Sequence, residues 1–159
     1  MNAELLKEQY GSIRDARLAL AKIQSELVAM EDRRDIYTTT EAMVEQFRDA
    51  IGYMPEERFA AIFMDNNKKQ LGPIVVYDGG TTSKTILYPR NLFRDALARD
   101  ATNVVICHNH PSGITEPSAA DRQLTRKVEE LGASLDVILR DHIIITQTSY
   151  TSFKDIGLL

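Results

Sequence analysis

The chain has 159 residues, of which 43% are hydrophobic and 26% charged, and its formal net charge is −4. This composition predicts one compact globular domain with an extension, and the negative charge gives no overall attraction for a phosphate backbone. The single cysteine, Cys107, excludes an internal disulfide and any zinc site built from several cysteines. No apolar run is long enough to cross a bilayer and residues 1–5 lack the features of a secretory signal, so a cytoplasmic protein without membrane contact is expected.

Residues 1–34 carry a heptad pattern of hydrophobic residues, which predicts a long N-terminal helix. The residues of the pattern are Leu6, Ile13, Ala16, Leu20, Ile23, Leu27 and Met30. Such a seam is typical of a coiled coil between two copies of a chain, and also of one amphipathic helix lying on its own domain. A homodimer through this helix is therefore one of two hypotheses. The charged run at 31–35 predicts a linker to a domain at 36–159.

The first half of that domain is predicted to contain a helix followed by two strands. Threonines at 38–40 and a glutamate after them indicate a capped helix that ends at Gly52. Its expected core residues are Met43, Val44, Phe47 and Ile51. Residues 57–64 alternate as a strand does, and 71–77 are the expected partner strand, interrupted by Pro73.

The second half is predicted to alternate between helices and strands. A helix is expected at 89–99 and a buried strand at 104–107, followed by a helix at 118–131 that stops at Gly132. Two closing strands are expected at 137–139 and 142–146. The helix residues expected to face the core are Leu92, Phe93, Ala96, Leu97, Leu124, Val128 and Leu131. This mixed order predicts an α+β fold, with helices flanking a mixed β-sheet.

Three metal-ligand side chains follow the predicted strand at 104–107. His108 and His110 point the same way if the backbone between them is extended, because side chains alternate along a strand. The segment 111–117, with two prolines and a glycine, predicts a rigid turn that carries Asp121 back to them. Two imidazoles and one carboxylate leave the fourth position of a tetrahedral zinc open, which is the arrangement of a catalytic site. The pattern therefore predicts a metal-dependent hydrolase.

The spacing His108-x-His110, seven residues, Ser118, two residues and Asp121 resembles the signature of the JAMM (MPN+, JAB) metalloproteases. From residue 36 onward the chain is most similar to the JAB domain of bacterial RadC proteins. The stretches that carry this resemblance are 88–90 (YPR), 108–113 (HNHPSG), 117–121 (PSxxD) and 141–144 (DHII). The resemblance implies a cytidine-deaminase-like α/β sandwich and a zinc-dependent hydrolase of peptide or isopeptide bonds.

The resemblance also implies roles for individual residues. One Zn²⁺ per chain would be held by His108, His110 and Asp121. Glu57, eight residues before Asp65, matches the family's upstream glutamate and is implied to be the general base, with Glu56 as its rival. Ser118 is implied to bind the oxyanion that develops on the substrate carbonyl. Ser118 and Asp121 also match a helix-capping pair, and one serine can serve both purposes.

Three neighbouring residues have less specific interpretations. Alternation turns Cys107 away from the metal and into the core. His142, beside Asp141, is expected to be structural, and support of the metal site is the second interpretation. Arg90 is either a solvated residue at the start of a helix or a residue that steers the substrate.

Two other functions stay open beside the hydrolase. The first is a RadC-like factor that acts on or with nucleic acid in DNA repair or recombination, although the net charge gives it no support. The second is a scaffold without catalytic activity, which the complete set of ligands disfavours. A zinc nucleobase deaminase is excluded, because it needs two cysteines and the chain has one.

Overall fold

The computed structural model describes residues 19–20, 22–23, 39–77 and 87–159. The chain divides into two compact units, Met1–Ile36 and Tyr37–Leu159. In the first unit Ala19, Leu20, Lys22 and Ile23 are helical, and the rest of the predicted heptad helix lies outside the described residues. The dimer through this helix and the limits 1–34 and 36–159 therefore stay predictions. None of the described helices combines the length and the apolar character that a bilayer crossing requires.

In its described part, the second unit is a five-stranded mixed sheet with helices on both faces. The order is α1 (Thr40–Phe47), a π-helical segment (Arg48–Gly52), β1 (Phe59–Met64), β2 (Val75–Tyr77), α2 (Pro89–Ala98), β3 (Asn103–Asn109), α3 (Ala119–Ser134), β4 (Ile138–Ile145) and β5 (Tyr150–Ser152). The strands lie in the order β2-β1-β3-β4-β5, and β3 and β4 are the parallel pair in this otherwise antiparallel sheet. The predicted α+β fold with a mixed sheet is confirmed.

The two faces of the sheet carry separate hydrophobic cores. Odd-numbered residues of β1, such as Phe59 and Phe63, pack with Phe93 of α2 and Val128 of α3. Even-numbered residues of β1 pack on the opposite face with α1 and the π-helical segment. Because both faces are covered, every residue of β1 and β3 is buried. This α/β sandwich places the carboxyl end of β3 beside the start of α3.

The elements of the first half end close to where the sequence places them. Thr39 caps α1, accepting a hydrogen bond from the Ala42 amide, and the π-helical segment ends at Gly52 as predicted. Strand β1 begins at Phe59, so residue 57 precedes the strand instead of opening it. Strand β2 is confined to 75–77, with Pro73 outside it.

Two predicted features of the second half are wrong. The strands expected at 137–139 and 142–146 are one strand, β4. Its pairing with β3 passes from Val104↔Leu139 to Val105↔Asp141, so Arg140 forms a bulge in one continuous strand. Strand β3 also runs on to Asn109 and therefore contains His108. Strand β5 was not predicted, because its three residues carry too little pattern.

Three helix predictions are also corrected. Leu97 and Leu131 are 52% and 39% exposed, since each lies at the edge of an apolar stripe that the sheet does not cover. Helix α3 continues past Gly132 to Ser134. Gly132 is needed for close packing: a Cβ there would lie 2.3 Å from the carbonyl oxygen of Val137. This tertiary contact explains the glycine, whereas the sequence pattern indicated a helix end.

Candidate metal centre

The end of β3 and the first turn of α3 bring three ligand side chains together. The Nε2 atoms of His108 and His110 lie 2.9 Å apart. His108 Nε2 lies 3.2 Å from Asp121 Oδ1, and His110 Nε2 lies 3.7 Å from Asp121 Oδ2. His108 and Asp121 are buried, while His110 is partly exposed. The convergence follows from strand β3, which ends one residue before His110, and from the loop that returns the chain to α3.

These separations fit a tetrahedral zinc site. Zinc–nitrogen bonds of about 2.0–2.1 Å place neighbouring ligand atoms of a tetrahedron about 3.3 Å apart, and the observed values lie on both sides of this distance. His110 Nδ1 lies 2.6 Å from the Ile114 carbonyl oxygen, which only accepts, so Nδ1 carries the proton and Nε2 of the neutral ring offers a lone pair. Lone pairs that converge on one point in this way suit a cation between them.

A buried chain of hydrogen bonds orients the His108 ring. The Thr125 hydroxyl donates to the backbone carbonyl of Asp121 at 2.7 Å, so it accepts from Nδ1 of His142, also at 2.7 Å. Nε2 of a neutral His142 then accepts from Nδ1 of His108 at 2.8 Å. A neutral His108 then has its lone pair on Nε2, the atom that faces His110 and Asp121. The chain thus selects the tautomer that binds a metal.

Two buried groups in or beside this chain of hydrogen bonds have shifted pKa values. Burial, followed by the nearby charge of His108, holds the pKa of His142 well below its ordinary value, so the ring stays neutral. Burial raises the pKa of Asp121. When no ion is bound, a proton on Nε2 of His108 donates to the carboxylate, and this hydrogen bond, the charge of His108 and the hydrogen bonds from Ser118 outweigh burial. The pKa of Asp121 therefore lies well below its ordinary value, and the carboxylate is charged at neutral pH.

Glu57 lies just before β1, the strand that pairs with β3, and it approaches the three ligands from there. Strand β1 pairs with β3 in the register Phe59↔His108, and the same register carried two residues further places Glu57 opposite His110. Ligand atoms of Glu57, His108, His110 and Asp121 all lie within 4.8 Å of one another. Of the two candidate glutamates, the structure brings Glu57 to the histidines, whereas Glu56 is exposed and pairs with Arg58 at 2.8 Å.

Ser118 is the N-cap of α3. Its hydroxyl accepts from the Asp121 amide at 3.1 Å, and Asp121 Oδ2 accepts from the Ser118 amide at 2.8 Å. The capping interpretation is therefore confirmed, and this capping box fixes the carboxylate of Asp121 beside the histidines. The role of Ser118 as an oxyanion donor stays a prediction.

An open cleft of about 530 Å³ borders His110. Its walls are residues 52–55, 110–113 and 146–148. Among the described residues that line it, none is an aspartate, glutamate, lysine or arginine. Of the four candidate ligands, His110 is the one that lines this cleft.

The remaining candidates divide into those that contact the centre and those that do not. His142 belongs to the chain behind His108, so support of the metal site is the interpretation that fits. Thr125 was not predicted, although its position four residues after Asp121 puts it on the same helix face. Cys107 is buried in the core on the opposite face, as predicted. Arg90 is exposed in the first turn of α2 and lies outside the group of four ligands.

Comparisons with known proteins agree with this site. The RadC-like JAB domain family matches residues 37–158. A UPF0758 protein of Flavobacterium johnsoniae is 43% identical over 108 residues, which cover 68% of this chain and 47% of that protein. A UPF0758 protein of Polaromonas sp. is 35% identical over 144 residues, which cover 91% of this chain and 61% of the relative. The chain thus spans 47% to 61% of the length of these two relatives. Because the match covers most of the chain and contains all four candidate ligands, this chain belongs to the RadC family of JAB-domain proteins.

Proposed function

We propose that this protein is a zinc-dependent hydrolase of peptide or isopeptide bonds. One observation carries the proposal: a carboxylate, Glu57, lies beside three converging ligand atoms, and one of the three ligand residues, His110, borders an open cleft. Two histidines and one aspartate suit zinc better than magnesium or calcium, because those ions favour sites made of oxygen ligands. Three protein ligands also leave a position for solvent or substrate.

The proposed mechanism assigns a task to each side chain. His108, His110 and Asp121 hold the ion, which supplies Lewis acidity when bound. Glu57 takes a proton from the water that attacks the amide carbonyl, and a carbon–oxygen bond forms. Glu57 then delivers this proton to the amide nitrogen as the carbon–nitrogen bond breaks, which releases the amine. The Ser118 hydroxyl donates a hydrogen bond to the oxygen that gains negative charge, a contribution of about 3 kcal/mol in comparable sites.

The cleft favours a polypeptide over a nucleic acid as the substrate. A protein that binds a nucleic acid neutralises phosphates with lysine and arginine. Neither residue type occurs in the described part of the cleft lining, which offers hydroxyl, amide and apolar groups. An extended peptide or an isopeptide-linked tail needs groups of this kind. The hypothesis of a repair or recombination factor thus gains no support from the described lining of this cleft.

The test combines metal analysis with cleavage of defined probes. We expect about one zinc per chain in wild type by elemental analysis and little zinc in Asp121→Ala. A pool of random peptides and a pool of lysine-linked isopeptides, read by mass spectrometry, then report hydrolysis. Glu57→Gln is expected to keep zinc and lose cleavage, whereas Glu56→Gln, the matched control, keeps both.

Two results would contradict the proposal. Cleavage by Glu57→Gln at the wild-type rate would remove Glu57 from the mechanism. If wild type cleaved neither pool, and a gel shift showed metal-dependent binding of single-stranded or branched DNA, the nucleic-acid hypothesis would replace the hydrolase. The cytoplasmic location and the peptide or isopeptide partner stay predictions.

A further inference from the structure

We propose that Asn109, the residue between the two histidines, is a positioning residue that holds Glu57 beside the metal centre. It would do so by binding the backbone on both sides of Glu57. This inference rests on the proposed function, because the value of a fixed Glu57 lies in the proton transfers assigned to it. The hydrogen bonds themselves are independent of that function.

Glu57 lies where the regular sheet no longer holds the chain. The ladder between β1 and β3 ends at the pair Phe59↔His108, so Glu57 is beyond its last pair. The residues before it, 53–56, are exposed. An exposed connection of this kind is mobile unless other contacts fix it. A general base needs a defined distance to the reacting atoms, because a displacement of about 1 Å costs about 100-fold in rate.

The side chain of Asn109 supplies the missing contacts. It is 1% exposed. Its Oδ1 accepts from the Arg58 amide at 2.6 Å, and its Nδ2 donates to the carbonyls of Glu56 at 3.1 Å and Met54 at 3.2 Å. The backbone amide of Asn109 also donates to the Arg58 carbonyl at 3.3 Å. The residues immediately before and after Glu57 are thus bound to one buried side chain.

The position of Asn109 in β3 links this contact to the metal ligands. Consecutive side chains of a strand point to opposite faces, so Asn109 points away from the face that His108 and His110 share. Three consecutive residues therefore hold both the ion and the backbone that carries the base. The separation between base and ligands is set by one short stretch of rigid strand.

An asparagine is required by this set of partners. An amide offers an acceptor and two donors in one plane, and here it meets one N–H group and two carbonyl oxygens. An aspartate keeps the acceptor but loses both donors and brings a charge against two carbonyl oxygens. Alanine loses all three contacts. The two substitutions therefore weaken the contact in different ways while they leave the metal ligands in place.

The experiment uses the full chain loaded with zinc and compares Asn109→Ala with Asn103→Ala. Asn103 is a matched control at the opposite end of β3. It is also 1% exposed, its Nδ2 donates to the Asp65 carbonyl at 2.7 Å, and its Oδ1 accepts from Arg140. Amide hydrogen exchange, read by mass spectrometry on peptides that cover 54–58, reports the contact without any substrate. Zinc content and the rate on the peptide and isopeptide pools complete the comparison.

We expect Asn109→Ala to accelerate exchange of the Arg58 amide severalfold and to lower kcat by about 100-fold with little change in KM. Zinc content stays at the wild-type level, and Asn103→Ala changes neither exchange at 54–58 nor kcat. In a Glu57→Gln background, Asn109→Ala causes no further loss of rate, because its effect passes through Glu57. If Asn109→Ala does not fold, Asn109→Asp, which loses both donors and brings a charge against the Met54 and Glu56 carbonyls, is compared in its place by exchange over the whole segment 54–58.

Unchanged exchange at 54–58 in the Asn109 variant would overturn the proposal, as would an equal loss of kcat in the Asn103 control. An additional loss in the Glu57→Gln background would show that Asn109 acts on something other than Glu57. If wild type cleaves neither pool, the proposed function fails. The exchange comparison then still decides whether Asn109 holds this segment.

Discussion

Replacing Thr125 with valine removes one hydroxyl and keeps the branched shape of the side chain, and we expect it to weaken zinc binding by about 10- to 100-fold. The hydroxyl lies 2.7 Å from Nδ1 of His142 and 2.7 Å from the carbonyl oxygen of Asp121. Without it, the Nδ1 proton of His142 has lost its acceptor in a fully buried position. Burying such a donor without a partner costs about 1–3 kcal/mol.

His142 avoids this cost by moving its proton to Nε2, which lies 2.8 Å from Nδ1 of His108. His108 must then accept at Nδ1 and carry its own proton on Nε2, the atom that faces the metal position. Zinc needs a lone pair on Nε2 of His108, so binding returns the proton of His142 to Nδ1, where it has no acceptor. The free energy of zinc binding therefore becomes less favourable by about 1–3 kcal/mol, which raises Kd roughly 5- to 150-fold at 1.4 kcal/mol per factor of ten.

The assay is a competitive titration of zinc against a chromophoric chelator at neutral pH. Thr125→Ser, which keeps the hydroxyl, is the matched control and is expected to bind zinc as wild type does. Denaturation of the metal-free proteins separates a change in zinc affinity from a general loss of stability. If Thr125→Val bound zinc as tightly as Thr125→Ser, the hydrogen bonds that lead from Thr125 through His142 to His108 would not select the ligand tautomer, and the assignment would be refuted.

Two further predictions concern stability. Burial raises the pKa of Asp141 in spite of the hydrogen bond from Ser152. The folded protein therefore binds this proton more tightly than the unfolded chain does. The resulting stabilisation is fully present below the pKa of Asp141 in the unfolded chain and is lost as the pH rises through its pKa in the folded protein. Asparagine has no such proton to lose. In urea denaturation, the free energy of unfolding of Asp141→Asn relative to wild type should therefore rise from acid to neutral pH. A difference in this free energy that does not change with pH would contradict the assignment. Gly132→Ala should destabilise the protein by about 1–3 kcal/mol, although alanine normally favours a helix, because the new Cβ would lie 2.3 Å from the Val137 carbonyl. Equal or greater stability in the same assay would refute this packing role.

Much of the fold and of the site follows from local signals. Residues near one another in sequence set helix caps and apolar stripes, so the start of α1 at its threonine cap and the apolar strand β3 were predicted. The ligand set was predictable for the same reason. His108 and His110 share one strand face, and Asp121 sits in the capping box of the helix that follows. Glu57 required the resemblance to a family, because its partners lie some fifty residues away in the chain.

What the sequence by itself determined was thus the identity and spacing of the candidate ligands and the order of most helices and strands. Tertiary structure alone decided which neighbours complete the centre. Thr125 and His142 meet because α3 packs against β4, and Asn109 reaches the backbone around Glu57 because β1 pairs with β3. Tertiary packing also explains Gly132, which the sequence pattern indicated as a helix end and which lies against the Val137 carbonyl. Each of these contacts joins segments that are separate in the chain. A hydrogen bond or close packing between such segments produces no repeating sequence pattern in either segment, so the sequence alone does not predict it.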